Sequence, residues 1–267
     1  MHKVSIITAC LNAAAHIETA LESVRDQTYP DIEHVIIDGG STDGTLDIVQ
    51  RYRDSVGYFV SEPDRGVYHA MNKGIQAATG DILFFLGADD RFVDERVVGD
   101  TAVVFDRQPD LKIAYGDIIW QLPNRQYRRQ QPATITREYL GTTTVIHQTV
   151  FARREVFAIT GGFSERYRII SDYEWMVKVF LRDRHLYAHF DRDIAIMGTG
   201  GISWTTKWEW ERIHVMLKYF GLREILKYRI WPRQKLRAEK FAKAMRKELN
   251  QKMNRAAHLT PWNRKGG

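Results

Sequence analysis

The feature that most restricts the fold is an alternation near the start of the chain. Short β-rich runs at 4–9, 34–37, 58–61 and 82–86 are separated by segments of helical character at 13–27, 45–52 and 67–78. In the first of these segments Ile17, Ala20, Leu21 and Val24 recur at helical spacing, the pattern of an amphipathic helix packed on a sheet. Strand and helix in strict succession predict a parallel sheet flanked by helices. Ligands of such sheets bind beyond the carboxyl ends of the strands. The polar clusters that follow each strand are therefore the first places to look for chemistry.

From residue 113 onward the alternation breaks down. Strands are expected at 113–122, 127–131, 143–151 and 186–197, with helices at 97–105, 153–159 and 172–182 between them. A mixed sheet extending the first one is the simplest arrangement. Beyond 204 the sequence turns helical and basic, with amphipathic candidates at 209–219 and 233–253. The 267 residues thus divide into a main α/β domain over 1–203 and a basic, Trp-rich helical extension over 204–267.

Several classes are disfavoured by composition. Cys10 is the only cysteine, which leaves no disulfide framework or thiolate metal cluster within the chain and suits a reducing compartment. The apolar run at 4–9 is too short for a secretory signal, and the densest apolar stretch, 82–88, is far below the roughly 20 residues that span a bilayer. Residues 204–267 carry 17 Lys and Arg against 5 Asp and Glu, a net +12, although the whole chain is only +6. Such a segment suits a polyanion or an anionic lipid surface, and equally a solvated helix face.

Four clusters carry chemistry. Leu86-Gly87-Ala88-Asp89-Asp90 puts two carboxylates just past a buried strand. Magnesium or manganese takes oxygen ligands and often keeps only one or two protein carboxylates, substrate phosphates completing the shell. The same residues would also serve as caps of the next helix. Asp38, at the end of the second strand, suits either a nucleobase contact or the local hydrogen bonds of a Gly-Gly turn. Ser171-Asp172-Tyr173-Glu174 has the form of a capping box, in which Ser171 caps while Asp172 is free to act as a general base. Arg65, after the third strand, suits a phosphate contact or a plain surface turn.

The order of the pieces decides more than any one of them. Ser5-Ile6-Ile7-Thr8-Ala9 with Asn12, Ile36-Ile37-Asp38-Gly39-Gly40-Ser41 with Asp43-Gly44-Thr45, Ser61-Glu62 with Asp64, Gly66, Tyr68 and Ala70-Met71-Asn72-Lys73-Gly74, Gly80-Asp81, Asp89-Asp90, His147-Gln148, Gly161-Gly162-Phe163 and Ser171-Asp172-Tyr173-Glu174-Trp175 together resemble the inverting family 2 glycosyltransferases. The resemblance covers about the first 200 residues. It implies the GT-A fold, a Rossmann-like half followed by an acceptor half, and transfer of a sugar from a nucleotide-diphosphate donor to a hydroxyl acceptor with a divalent cofactor, Mn or Mg. By position it implies that Thr8, Asn12, Asp38, Arg65 and Asp89 contact the donor nucleotide and that Asp89 and Asp90 hold the metal. It also makes Asp172 the catalytic base and puts His147, Gln148 and Glu174 near the acceptor or in its loops. One departure stands out, because Gly87 occupies the first acidic position of the family's Asp-x-Asp metal motif. The Gln-x-x-Arg-Trp motif of polymerising relatives does not occur, which favours transfer of one sugar at a time.

Two other classes compete. A sugar-nucleotide pyrophosphorylase would need a Gly-rich phosphate loop where this chain has Ala9-Cys10-Leu11-Asn12-Ala13, and a dinucleotide oxidoreductase would need a G-x-G-x-x-G run. A non-enzymatic module driven by the basic tail is the other. For that tail a membrane surface is the better partner than nucleic acid, since Trp204, Trp208, Trp210, Trp231 and Trp262 accompany its cations. The expected setting is cytoplasmic and peripheral on the inner face of a membrane, with a saccharide or lipid-linked saccharide acceptor in envelope or exopolysaccharide assembly.

Overall fold

The computed structural model describes residues 1–122, 124–182, 186–198 and 209–227. Three parallel pairings form its first half: β1 (Val4–Cys10) lies between β2 (Ile32–Asp38) and β4 (Ile82–Phe85), and β3 (Tyr58–Ser61) flanks β2. The crossovers are α1 (Ile17–Arg25), α2 (Thr45–Arg51) and α3 (Val67–Ala77). The rest of the sheet is mixed. Beyond the two-residue β5 (Arg91–Phe92) and α4 (Val97–Arg107), the long strand β6 (Ile113–Leu122) folds back on β7 (Arg125–Arg129). β8 (Val150–Arg153) inserts antiparallel between β4 and β6, and β9 (Tyr187–Met197) runs parallel to β6. The strand order is β3-β2-β1-β4-β8-β6-β9-β5, with β7 paired to β6.

Period-two alternation sorts the apolar side chains to the two faces. Ile6 and Phe84 pack with Phe105 and Phe151 on one side, whereas Ile7, Leu83 and Phe85 pack with Met71, Phe163 and Trp175 on the other. The second face is covered by α3, α6 (Arg154–Thr160) and α7 (Ser171–Phe180), and also by α8 (Glu209–Tyr219), which sends Val215 and Met216 into the same core. α9 (Gly221–Lys227) follows directly.

The main departures from expectation lie between β7 and β8. The strand expected over 143–151 is instead an irregular approach, a 3-10 turn at His147–Thr149 and the short β8. The reason is the buried side chain of Gln131, which accepts from Ile146 N and donates to Thr149 Oγ1 and to Gly116 O, so side-chain bonds replace a ladder there. A short α5 (Arg137–Thr142), capped by Thr136 Oγ1 on Tyr139 N, was not anticipated, nor was β5. The first helix begins only at Ile17, because Asn12 turns the chain with a φ of +50°. The expected helix at 233–253 and Trp204, Trp208, Trp231 and Trp262 lie outside the described residues. Among the described residues no helix is long and apolar enough to cross a membrane.

Candidate active site

At the donor end, the chain after β2 makes a tight turn whose Gly40 and Gly44 adopt φ of +87° and +96°, values open to glycine. Asp38 is fully buried and holds this turn: its carboxylate accepts from Gly40 N, Ser41 N, Ser41 Oγ and Ser61 Oγ at 2.5–3.0 Å. Burial alone would raise its pKa, but these hydrogen bonds outweigh burial and hold it below the ordinary carboxylate value. Asn12 joins the β1 loop to the same turn, its N–H donating to Ser41 Oγ and its Oδ1 accepting from Thr42 N. Thr8 is buried on β1 with Oγ1 3.1 Å from His34 Nε2, so it supports the strand ends from within. Arg65 is exposed and bound to Glu165 Oε2 at 2.7 Å. Its neighbour Asp64 is the residue the sequence reading passed over: it binds His69 and Lys73, and its buried Oδ2 has no hydrogen-bond partner among the described residues. Its sequence signal is the Glu62–Gly66 run, where it directly precedes Arg65.

The acidic pair follows β4. Asp90 is 2% exposed and accepts from Gly198 N at 3.0 Å, while its buried Oδ2 has no hydrogen-bond partner among the described residues. Burial first, then the charge of Asp89, pushes its pKa up to about 7, against the opposing pull of Gly198, His147 and Gln148. The unusual Gly87 has a local explanation. A Cβ at 87 would fall within overlap distance of Asp90 Oδ2 and 3.2 Å from Asp89 Oδ1, so the Asp90 carboxylate fills the space a side chain at 87 would need. Gly198, at the end of β9, is held to the same smallness by the Asp89 backbone.

Asp172 sits in the first turn of α7. Its Oδ1 accepts from the Tyr68 hydroxyl at 2.8 Å, and its Oδ2 is 3.1 Å from His147 Nδ1. Burial favours the neutral acid, but the hydrogen bond and charge of His147, together with Tyr68, win and lower its pKa. The carboxylate is therefore ionised at neutral pH. His147 also acts electrostatically on Asp90, beside Gln148. The 3-10 turn at His147–Thr149 packs against β4, which leads to the acidic pair, and against α7, which bears Asp172.

The capping box does not form. Ser171 is already inside α7, Ile170 is the N-cap without a side-chain bond, and Ser171 Oγ has no partner among the described residues. Glu174 is instead bound by Lys218 and the Tyr219 hydroxyl at 2.9 and 3.0 Å, both from α8. Glu174 is drawn away from the helix start by those partners, so the local pattern yields to tertiary contacts.

The chemistry available is that of hard oxygen donors beside a poised carboxylate. Asp89 and the unpaired Oδ2 of Asp90 fit a divalent cation, which prefers such ligands. Among the described residues no group of three or more His, Cys, Asp or Glu is arranged to hold an ion unaided.

Comparison with known proteins agrees with this architecture. Residues 5–158 match the model of Glycosyl transferase family 2. A relative described as "PGL/p-HBAD biosynthesis glycosyltransferase" from Mycobacterium bovis (strain BCG / Pasteur 1173P2) is 36% identical over 179 residues, which are 66% of this chain and 69% of the relative. The crystal structure of S. aureus TarS 1-349 in complex with UDP superposes with a TM-score of 0.65 at 21% identity, over 85% of this chain and 69% of that one. Of a longer TarS chain, 43% is covered. The mannosyltransferase PcManGT from Pyrobaculum calidifontis, in complex with GDP-Man and Mn2+, gives a TM-score of 0.54 at 19% identity, over 82% and 61% of the two chains. The mixed sheet has the GT-A form of these neighbours, and the chain belongs to glycosyl transferase family 2 and is a glycosyltransferase.

Proposed function

We propose that this glycosyltransferase is an inverting, non-processive enzyme that moves a sugar from a nucleoside-diphosphate donor to a hydroxyl acceptor, with Asp172 as the base. The observation that carries the reading is the turn at His147–Thr149, which reaches Asp172 through His147 and packs against β4, the strand that leads to Asp89 and Asp90. The donor lies along the carboxyl ends of β1, β2 and β3, where Asn12 and the turn held by Asp38 shape the nucleoside pocket and Arg65 meets the donor phosphates. Asp89 and Asp90 would hold a divalent ion, Mn or Mg, beside the donor. When bound, that ion supplies positive charge against the departing diphosphate. Asp172 takes the proton of the acceptor hydroxyl as its oxygen bonds to the anomeric carbon, and the carbon–oxygen bond to the donor phosphate breaks on the opposite face. Tyr68 and His147 keep the carboxylate ionised and aimed. His147, Gln148 and the α7 start line the acceptor approach. The UDP and GDP-Man bound by the two structural neighbours support a nucleotide-sugar donor, and the mycobacterial relative, a PGL/p-HBAD biosynthesis glycosyltransferase, supports a role in biosynthesis of a glycosylated product.

The test separates binding from chemistry. Asp172→Asn should lower turnover by three orders of magnitude or more, while the Kd of a nucleoside diphosphate, titrated calorimetrically with manganese and with chelator, changes less than threefold. Turnover near that of the parent in this variant would remove Asp172 from the role.

A peripheral membrane setting has its own support. Trp210 and Leu217, seven residues apart on α8, are 81% and 49% exposed, and Leu222 and Leu226 on α9 are 63% and 68% exposed, within a segment of net charge +12. Exposed apolar side chains on helices that belong to a Lys- and Arg-rich stretch of sequence suit an anionic bilayer interface. In flotation with vesicles rich in anionic phospholipid, the chain should rise with the lipid and Trp210→Ser with Leu217→Ser should cut the bound fraction severalfold. Equal flotation of both proteins would defeat this part of the reading.

A further inference from the structure

The first turn of an α-helix leaves its backbone N–H groups without partners, and a negative charge placed there is stabilising. α7 supplies none from its own N-cap. Its first turn carries Asp172 and Glu174, and the chain leading into it is bound from α8: Glu211 accepts from Arg168 N at 2.7 Å, Ile169 N at 3.0 Å and Ile170 N at 3.3 Å. One carboxylate thus binds three successive N–H groups of the segment that delivers Asp172. From the other side the same segment is held by Tyr68, whose hydroxyl lies 2.5 Å from Ile169 O as well as 2.8 Å from Asp172 Oδ1.

The next residue of α8 adds a second hold. The Arg212 guanidinium lies over the Tyr173 ring at 4.2 Å and donates to Thr143 O at 3.1 Å. Burial lowers its pKa, and the Tyr173 and Asp172 side chains oppose that shift, so its positive charge is set close behind the catalytic turn. Thr143 belongs to the irregular stretch that runs into His147, so Arg212 ties together the two strands of chain that bring His147 and Asp172 within 3.1 Å of each other. Glu211 and Arg212 point at this turn while Trp210 and Leu217 face outward.

We propose that Glu211 and Arg212 are positioning residues for Asp172: α8 completes the active site by fixing the backbone that aims its carboxylate. The proposal rests on Asp172 as the base. Neither residue touches the reacting atoms, and their effect is on geometry, where a displacement of about 1 Å costs on the order of a hundredfold in rate.

The experiment uses the full chain, with turnover expressed per nucleoside-diphosphate binding site measured by calorimetry, so that loss of folded protein does not count as loss of catalysis. Glu211→Ala and Arg212→Met should lower kcat 10- to 100-fold with the donor KM and the diphosphate Kd within threefold of the parent. Glu211→Gln and Arg212→Lys, which keep part of the hydrogen bonding, should each recover at least half of that loss on a logarithmic scale. A merely structural role would reduce the number of binding sites and leave kcat per site unchanged. That result for both Glu211→Ala and Arg212→Met, alongside an inactive Asp172→Asn, overturns the positioning role alone. An active Asp172→Asn overturns the reading beneath it.

Discussion

The two halves of this molecule build their sites by different means. In the donor half the turn after β2 closes through bonds of Asp38 to residues two and three positions away, and the loop of Asn12 joins it across neighbouring parallel strands. In the acceptor half Asp172 is held by Tyr68, 104 residues away, and by His147, 25 away, while the chain leading to it is bound by Glu211 more than 40 residues on. The first half carries its site in a glycine turn and in bonds between the ends of neighbouring parallel strands, on a sheet that local patterning specifies. The second half has to wait for distant segments to meet. Damage to the donor half should therefore act through the packing of sheet and helix, and damage to the acceptor half through geometry at fixed stability.

Two measurements bear on that contrast. The largest effect is expected at Gly74, where α3 lies so close to β1 that a Cβ would overlap Ile7 Cγ2 and approach Ile37 Cγ1 to 3.6 Å. Gly74→Val should cost about 3 kcal/mol in urea unfolding, since a packed core cannot absorb the added carbons, and Ile7→Ala in the same chain should recover part of the loss. Stability unchanged by Gly74→Val would show that the two halves do not differ in this way.

A smaller effect lies in the pH dependence of folding. His34, buried beneath Thr8, has its pKa lowered by burial to about 4, so the unfolded chain binds the extra proton and stability falls as pH drops from 6.5 toward 4. Asp90 runs the other way: its pKa of about 7 in the folded protein means that stability falls as pH rises from 3.8 toward 7. Each term is worth about 2 kcal/mol between pH 5 and 7.5, and the two nearly cancel. Thermal melts should show little net change for the parent over that range. His34→Gln should become less stable at the higher pH, and Asp90→Asn less stable at the lower. Parallel curves for all three proteins would contradict both assignments.

Much of the donor half was legible from its residues. Alternating β-branched runs and helically spaced apolar positions set the strands and crossovers, and the Asp38–Gly44 turn carried its own glycines. Asp38 itself shows the boundary of that method, since its residue type suits a ligand contact and a turn hydrogen bond equally, and only its complete burial shows that it holds the turn. Gly87 stands at the first acidic position of the motif it resembles, and only the structure shows that the space beside it is filled by the Asp90 carboxylate. Ser171 and Glu174 match a capping box in every local respect, yet the Glu174 carboxylate goes to Lys218 and Tyr219, and the chain before the helix is bound by Glu211.

By itself, then, the sequence determined the α/β order, the parallel start of the sheet, the two acidic motifs and the family they resemble, because periodicity and turn chemistry act over a few residues. The tertiary structure alone decided which partners surround each carboxylate, which carboxylates are consumed in holding the backbone, and that α8 belongs to the turn bearing Asp172. Those outcomes depend on contacts between residues far apart in the chain, and the energy of each contact is fixed only when packing has set distance, burial and competing partners together.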